Sequence, residues 1–206
     1  MMFITFEGID FSGKSTQCRR LADFLAARGH DVVLLREPGG TALSEKIRQL
    51  LLDKNSDGLE PLAEFFLYSA ARAQLVEEII RPALQEGKIV ICDRFFDSSI
   101  AYQGGGRGIN IAEIEAVNRI STGELTPDLT IIIDISIETS LNRLKLAGKS
   151  TDRIESEGVE FFARIRDTYL QLATGEKTRF KVVNGDDDID TIERRVRDIV
   201  IDHFRI

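Results

Sequence analysis

The 206 residues of this chain suffice for one domain of ordinary size, and 43% hydrophobic with 30% charged residues is typical of globular proteins. Its 34 acidic residues outnumber the 27 basic ones, which gives a net charge of −7 at pH 7. A surface this acidic repels polyanions, so we expect neither general nucleic-acid binding nor attachment to an anionic membrane. Any phosphate must be held by locally placed cations, which makes single Arg and Lys positions informative.

The chain contains two cysteines, Cys18 and Cys92, which are not in a metal-ligand spacing. Both fall in a predicted helix or strand, as is typical of buried thiols in a reducing compartment. The first residues show no basic segment followed by a long apolar one, and no stretch approaches the roughly eighteen apolar residues of a membrane span. We therefore expect a cytoplasmic protein.

Short β-branched segments alternate with longer segments of helical periodicity. Taken along the chain, strands are predicted at 2–7, 31–36, 88–93, 129–134 and 180–184. Helices are predicted at 14–28, 61–86, 111–122, 137–147, 159–174 and 189–203. Segments such as Ile131-Ile132-Ile133 are apolar on both faces, as in the centre of a parallel sheet covered by helices on both sides. The alternation predicts a doubly wound α/β fold in a single domain, 1–206.

One segment, residues 146–158, is polar, carries two glycines and lies between two predicted helices. Such a segment can be an ordinary surface connection. Its basic residues Lys149 and Arg153 make a short mobile lid the alternative.

The strongest motif follows the first predicted strand and reads Gly8-Ile9-Asp10-Phe11-Ser12-Gly13-Lys14-Ser15, which matches G-x-x-x-x-G-K-[ST]. In such a loop successive backbone N–H groups converge on one anion, and the following helix N-terminus adds partial positive charge. Lys14 is then expected to reach the β- and γ-phosphates of a nucleoside triphosphate, the Ser15 hydroxyl to bind magnesium, and Thr16 to contact the α-phosphate.

Asp93 ends the strand at 88–93, and Arg94 follows it directly. A carboxylate there is suited to order magnesium and its waters, and the next Arg can grip a phosphate, although a solvated loop pair is the alternative. The chain has no N-K-x-D guanine motif, and the strand does not end in the Asp-Glu pair usual in motor ATPases. A nucleotide kinase therefore fits the motifs better than a GTPase or a motor.

Further cations lie where loops should converge at one edge of the sheet. Arg36 ends the second strand and enters the segment 37–41, which is predicted as a tight turn. Tyr68 and Arg72 are four residues apart on one apolar helix, so the Tyr68 ring and the Arg72 guanidinium share one face and can contact the same ligand. A core aromatic beside an Arg whose charge extends to solvent explains the same spacing.

At this point the chain resembles the bacterial thymidylate kinases along nearly its whole length. The matching segments are FEGIDFSGKST at 6–16, REPGGT at 36–41, YSAARAQ at 68–74, DRFFDSSIAYQGGGRG at 93–108 and DRIE at 152–155. The resemblance implies the P-loop NTPase type of α/β fold with a five-stranded parallel sheet, a homodimer, Mg-ATP as phosphoryl donor, and dTMP as acceptor, in dTTP synthesis.

The resemblance also implies roles by position. Lys14, Arg94 and Arg153 would be catalytic, and Asp93 and Ser15 would hold Mg²⁺. The loop 8–16 with Arg143 would bind ATP, with Arg143 stacking on adenine near Asn184-Gly185, although it can equally be a solvated helix residue. The acceptor would be bound at its 3′-hydroxyl by Asp10 and at its phosphate by Arg36 and Arg94. Tyr68 would stack on thymine, Arg72 would hydrogen-bond to the base, and Tyr102 would lie at the 2′ position of the sugar. Ser98, Ser99 and Gln103 would complete the acceptor site.

The chain departs from the family pattern at Phe11, a bulky residue where relatives usually carry Gly, Ala or a polar residue. One group of the family places an arginine inside this loop, and the other supplies that charge from the lid. This loop has none, which favours Arg153 in the lid as the catalytic arginine.

Three other functions remain as alternatives. A deoxynucleoside kinase would need a carboxylate base and would not need Arg36 and Arg94 for a monophosphate. A regulatory module without catalysis would not need Lys14 and Arg153 intact. An ATPase of a larger assembly lacks an evident partner surface. The homodimer could use the apolar faces of the helices at 61–86 or near the N-terminus.

Overall fold

The computed structural model describes residues 2–56, 58–148 and 151–206. In these ranges no helix combines the length and the apolar character needed to cross a membrane. Lys149, a residue of the predicted lid, lies outside the described residues.

The described residues form one five-stranded sheet in which every pairing is parallel, in the order β2-β3-β1-β4-β5. The strands are β1 Met2–Glu7, β2 Val32–Arg36, β3 Ile89–Asp93, β4 Leu129–Asp134 and β5 Phe180–Asn184. Phe6 is level with Asp93, the last residue of β3, and Glu7 is level with Ile132, two residues before the end of β4, so the three central strands end at the same edge with β4 extending furthest. The predicted α/β sheet is confirmed, and the strand starts differ from prediction by one residue at most.

Helices cover both faces of the sheet. They are α1 Lys14–Ala27, α2 Ala42–Leu52, α3 Pro61–Leu75, α4 Arg81–Gln85, α5 Phe96–Ser99, α6 Ile111–Thr122, α7 Ile137–Ala147, α8 Val159–Gly175 and α9 Ile189–Phe204. Ile4 and Phe6 of β1 pack against α1 and α9, whereas Phe3 packs on the opposite side against α3. Alternate residues of one strand thus enter two different cores, which explains the apolar runs of the central strands.

Three local predictions differ from the structure. The segment after the predicted turn at 37–41 forms α2, with the Thr41 side chain accepting a hydrogen bond from Ser44 N as a helix cap. The predicted helix 61–86 consists of three consecutive pieces, because a π-helical turn at Val76–Ile80 separates α3 from α4. Pro82, in α4, has no N–H to donate in a regular helical hydrogen bond. A further π-helical segment, Ile100–Gly106, continues α5.

Candidate active site

The loop between β1 and α1 has the backbone conformation that its glycines were predicted to allow. Gly8 has a φ of +136°, and a Cβ there would lie 2.4 Å from the Ile133 carbonyl oxygen, so no side chain fits. Gly13 caps α1 in a left-handed conformation with a φ of +98°. Phe11 also has a positive φ, of +61°, which costs a non-glycine residue about 1–2 kcal/mol. The backbone is therefore strained at Phe11, where the conformation of the loop requires a positive φ.

Lys14 is buried within this loop. Its Nζ donates to the Ile9 carbonyl oxygen at 2.9 Å and to Ser12 Oγ at 3.5 Å. Burial lowers the pKa of Lys14, and the nearby Arg94 charge lowers it further, against the opposite effect of Asp93. The ammonium group is thus held by the same loop that is expected to bind phosphate.

Ser15 lies in the first turn of α1, and its hydroxyl donates to Oδ2 of Asp93 at the carboxyl end of β3. A hydroxyl and a carboxylate are oxygen ligands of the kind that Mg²⁺ binds, usually with several waters retained. The two residues therefore fit the metal role that the sequence predicted for them.

Arg94 follows β3 in a left-handed conformation with a φ of +73°. Its NH2 donates to Asp10 Oδ1 at 2.7 Å and to Tyr102 OH at 2.9 Å, and its guanidinium lies 4.8 Å from the centre of the Tyr102 ring. Its NH1 donates to Ser98 Oγ at 3.2 Å and to Tyr169 OH at 3.3 Å. The guanidinium is thus oriented by groups from four elements.

Asp10 completes this arrangement, since Tyr102 OH donates to its Oδ2 at 2.9 Å. Burial alone would raise the pKa of Asp10, but the charges of Arg94 and Lys14 hold it below its ordinary value. An ionised carboxylate therefore stands between the phosphate loop and Arg94.

Glu7, the last residue of β1, lies fully buried behind Arg94. Its Oε1 accepts from Phe95 N at 2.7 Å, and its Oε2 accepts from Ser98 Oγ at 2.6 Å and Tyr169 OH at 2.7 Å. Burial, reinforced by the charge of Asp97, raises the pKa of Glu7 to about 7. The hydroxyls that accept from Arg94 are thus anchored on Glu7.

An acceptor pocket with a cavity volume of about 140 Å³ opens beside Arg94. Eight of the residues predicted to bind the acceptor line it: Asp10, Tyr68, Arg72, Arg94, Ser98, Ser99, Tyr102 and Gln103. The structure therefore brings together most of the residues that the sequence assigned to this role.

Arg72 is buried at the back of the acceptor pocket. Its Nε donates to Glu37 Oε2 at 2.8 Å, and its two terminal nitrogens donate at 3.0 Å to Asn118 Oδ1 and Ser99 Oγ. Both partners of the ion pair are almost fully buried, so losing either one would leave an uncompensated charge. The cis peptide bond between Glu37 and Pro38 lies on the same side of the pocket.

The acceptor pocket joins a second cleft, which is lined by the phosphate loop. Asp10, Glu37, Arg48, Arg94 and Glu155 line both spaces. The second cleft also contains Lys14, Ser15, Asp93 and Arg143. A ligand in the pocket and a triphosphate on the loop would therefore meet at Arg94.

Comparison with known proteins agrees with this geometry. The family model described as thymidylate kinase matches residues 6–196. The chain belongs to the thymidylate kinase family.

Among its relatives are the thymidylate kinases of Chlorobium luteolum, 48% identical over 89% of each chain, and of Pelotomaculum thermopropionicum, 49% identical over 89% of this chain and 85% of the relative. A thymidylate kinase of known crystal structure, from Ehrlichia chaffeensis, superposes with a TM-score of 0.79 at 39% identity and covers 97% of both chains.

Two of the predicted arginines do not line the acceptor pocket. Arg36 lines the phosphate cleft rather than the acceptor pocket, and its NH2 donates to Glu45 Oε2 at 2.9 Å. Arg153 lines neither space, because its Nε donates to the Leu51 carbonyl oxygen at 2.9 Å and its NH2 donates to Glu64 Oε2 at 2.6 Å. Arg153 is thus docked on α2 and α3.

Arg143 is held on the phosphate loop by backbone groups. Its NH1 donates to the carbonyl oxygens of Phe11 at 3.1 Å and Ser12 at 3.2 Å, and its NH2 donates to that of Gly185 at 2.8 Å. It also lines a small cleft with Gly13 and Thr16, next to the loop. Its guanidinium thus bridges the loop to the turn after β5, where the sequence predicted the adenine contact.

Sequence reasoning missed Arg48, which lines both spaces and donates from NH1 to the Pro38 carbonyl oxygen at 3.0 Å. Arg48 lies on α2, the helix that was not predicted. Leu43, Ile47, Leu50 and Leu51 recur after the capping Thr41 with helical spacing, and this signal would have placed Arg48 on a helix.

Proposed function

We propose that this chain transfers the γ-phosphoryl group of Mg-ATP to the phosphate of dTMP, giving dTDP and ADP. The observation that carries the proposal is the shared wall of the two spaces, where Arg94 faces both the phosphate loop and the acceptor pocket. A cation at this junction serves an acceptor that is itself an anion, as a monophosphate is.

In the proposed reaction an oxygen of the dTMP phosphate forms a bond to the γ-phosphorus, while the bond from that phosphorus to the oxygen shared with the β-phosphate breaks. The acceptor oxygen is already a nucleophile, so the main barrier is bringing two polyanions into line. Lys14 would neutralise the β- and γ-phosphates, and Arg94 would hold the acceptor's phosphate next to them. Arg36 and Arg48, in the same cleft, add positive charge.

Mg²⁺ would be held by Ser15 and Asp93, directly or through its waters. When bound, the ion supplies charge neutralisation between the phosphates of the donor. The loop's N–H groups, with Gly8, Gly13 and Thr16, would hold the remaining phosphate oxygens.

The acceptor pocket fits a thymine nucleotide in our proposal as follows. Tyr68 would stack on the base, and Arg72 with Ser99 would offer hydrogen bonds to it. Tyr102, held against Asp10, would crowd the 2′ position of the sugar, while Asp10 would lie near the 3′-hydroxyl. This arrangement favours deoxyribose.

Arg153 would supply the remaining charge at the transferred group once it leaves Glu64. Asp152, Ile154 and Glu155 already line the acceptor pocket, which supports a segment that moves with the ligand. Its closure would exclude water, which otherwise competes as phosphoryl acceptor.

We further propose a homodimer that uses α2 and α3. These adjacent helices expose large apolar side chains with helical spacing: Leu43 and Leu50 on α2, and Leu62 and Phe66 on α3, each about half exposed. Exposed apolar side chains on neighbouring helices are typical of a protein interface. We also propose a cytoplasmic location for this chain.

The test is ADP release from Mg-ATP with dTMP, dUMP, UMP, AMP, GMP, CMP and thymidine each offered alone, and with EDTA added as a control. We expect turnover with dTMP, less with dUMP, and none after metal removal. Activity with thymidine alone would make the chain a nucleoside kinase. ATP binding without acceptor-dependent turnover would make it a regulatory module.

A further inference from the structure

Behind the acceptor pocket lies a buried carboxylate, Glu64 on α3, which is 1% exposed and does not itself line the pocket. Its Oε1 accepts from Gln103 Nε2 at 2.9 Å and from Arg107 Nε at 3.3 Å. Its Oε2 accepts from Arg107 NH2 at 3.2 Å and from Arg153 NH2 at 2.6 Å. Both carboxylate oxygens thus accept hydrogen bonds from guanidinium groups, and those from Arg107 would remain when Arg153 leaves Glu64 in the proposed reaction.

This environment decides how the Gln103 amide is oriented. An ionised carboxylate has only acceptor atoms, so the amide must turn its NH₂ group toward Glu64. The opposite orientation would set the amide oxygen against a carboxylate oxygen, with no proton between them. Across the described ranges, no hydrogen bond uses Gln103 Oε1, and Gln103 lines the acceptor pocket. The group left to a ligand is therefore a hydrogen-bond acceptor.

We infer that Glu64 is a positioning residue for base selection, because it fixes the Gln103 amide so that the acceptor pocket presents an acceptor beside the donor Arg72. This inference rests on the proposed function. A pyrimidine with a 4-oxo group and an N3–H, such as thymine or uracil, matches a donor and an acceptor. A 4-amino pyrimidine such as cytosine presents an amine and an N3 lone pair, which mismatches both.

The expected effect follows from replacing Glu64 by a group that does not impose one orientation. The amide of Glu64→Gln both donates and accepts, so either orientation of the Gln103 amide can be satisfied. If the Gln103 amide can turn around, it can offer either its NH₂ group or its oxygen to the base, so cytosine no longer leaves it unpaired. We expect the preference for dTMP over dCMP to fall by about 10- to 100-fold.

The experiment measures kcat/KM and dissociation constants for dTMP and dCMP with wild type, Glu64→Gln, Glu64→Asp, Gln103→Leu and Glu157→Gln. Both nucleotides are measured on one preparation, so the dTMP-to-dCMP ratio does not depend on the folded fraction of a destabilised variant. Gln103→Leu sets the loss expected when the acceptor is absent. Glu64→Asp keeps the carboxylate and should retain most of the preference.

Glu157→Gln is the matched control, because Glu157 also accepts from Arg107, at 2.5 Å, but is not bonded to Gln103. Its ratio should equal that of wild type. A ratio that stays at the wild-type value in Glu64→Gln, while both rates fall together, would overturn the inference and leave Glu64 a structural residue. Absence of dTMP turnover in wild type would instead contradict the proposed function, and the ratio of dissociation constants would still decide the role of Glu64.

Discussion

At the scale of single residues, Arg94 carries the most demands on geometry. Its backbone is held in a left-handed conformation, and its guanidinium donates to Asp10, Tyr102, Ser98 and Tyr169. A planar fork can make these bonds at fixed angles, whereas an ammonium group makes fewer bonds with less fixed direction. The role of Arg94 therefore depends on its shape as well as its charge.

Arg94→Lys should lower kcat/KM for dTMP by about 10²-fold or more, because the positive charge remains but the oriented donors are lost. Steady-state kinetics with dTMP varied at saturating Mg-ATP checks this. Arg119→Lys, on the exposed surface of α6, is the control and should behave as wild type. Near-normal kcat/KM in Arg94→Lys would show that charge alone is sufficient.

Single residues also mark where the sequence was informative. The phosphate-loop residues, Asp93 and Arg94 could be placed because each follows a strand, and parallel strands end at the same edge. Arg153 could be named but its contact with Glu64 could not be foreseen, because a docked and a catalytic position share one sequence. Glu64 itself was missed, since a single Glu on an apolar helix gives no sequence signal of its partners.

At the scale of elements, the segment around Arg153 must allow two positions of the Arg153 guanidinium in our proposal. In the structure it is docked through Glu64 and the Leu51 carbonyl, yet our proposal needs the guanidinium at the phosphates. The docking must therefore be reversible during turnover, and the lid is expected to contribute to the rate more than to acceptor binding.

Arg153→Ala should reduce kcat by about 10³- to 10⁵-fold, the range for an arginine placed on a transferring phosphoryl group. The dissociation constant for dTMP, measured by calorimetry, should change far less. Arg194→Ala on α9, an exposed arginine away from both spaces, serves as the control. An unchanged kcat in Arg153→Ala would remove the lid from the catalytic account.

α2 shows why one element escaped prediction. Two glycines and a proline precede it, so the segment was interpreted as a turn, and the helical spacing that follows was outweighed. Its start depends on Thr41, whose Oγ1 accepts from Ser44 N at 3.1 Å and which donates to Ser44 Oγ at 2.8 Å. Because α2 carries Arg48 to the pocket, this cap also matters to the site.

Thr41→Ala should lower the free energy of unfolding by about 1 kcal/mol, since it removes the cap of α2. Urea unfolding, followed by circular dichroism, measures this difference. Thr41→Ser keeps the hydroxyl and should lose much less. Equal stability of the Ala and Ser variants would mean that the hydroxyl does not stabilise the helix.

At the scale of the whole molecule, the sheet could be predicted because its central strands are apolar on both faces and alternate with amphipathic helices. That pattern does not report the buried charges that the fold also contains. Glu7 and Glu37 are both buried, and burial raises the pKa of each to about 7, against the influence of the nearby arginines. These raised pKa values make the free energy of unfolding depend on pH.

For Glu7 the sign is determined by the raised pKa. Between about pH 4.5 and pH 7 the folded protein holds a proton that the unfolded chain has released. The stabilisation is complete below the unfolded pKa and is lost as pH rises through the folded pKa. The free energy of unfolding should therefore fall by on the order of 3 kcal/mol per such group between pH 4.5 and pH 8.

Glu7→Gln should weaken this pH dependence, because the amide stays neutral while Ser98 and Tyr169 can still bond to it. Part of the dependence should remain, since Glu37 is unchanged. Urea unfolding at several values between pH 5 and pH 8 measures it, with the exposed Glu115→Gln on α6 expected to keep the wild-type dependence. If Glu7→Gln and wild type showed the same dependence, Glu7 would have to be ionised in the folded protein throughout, and Arg94 would then be facing a permanent negative charge.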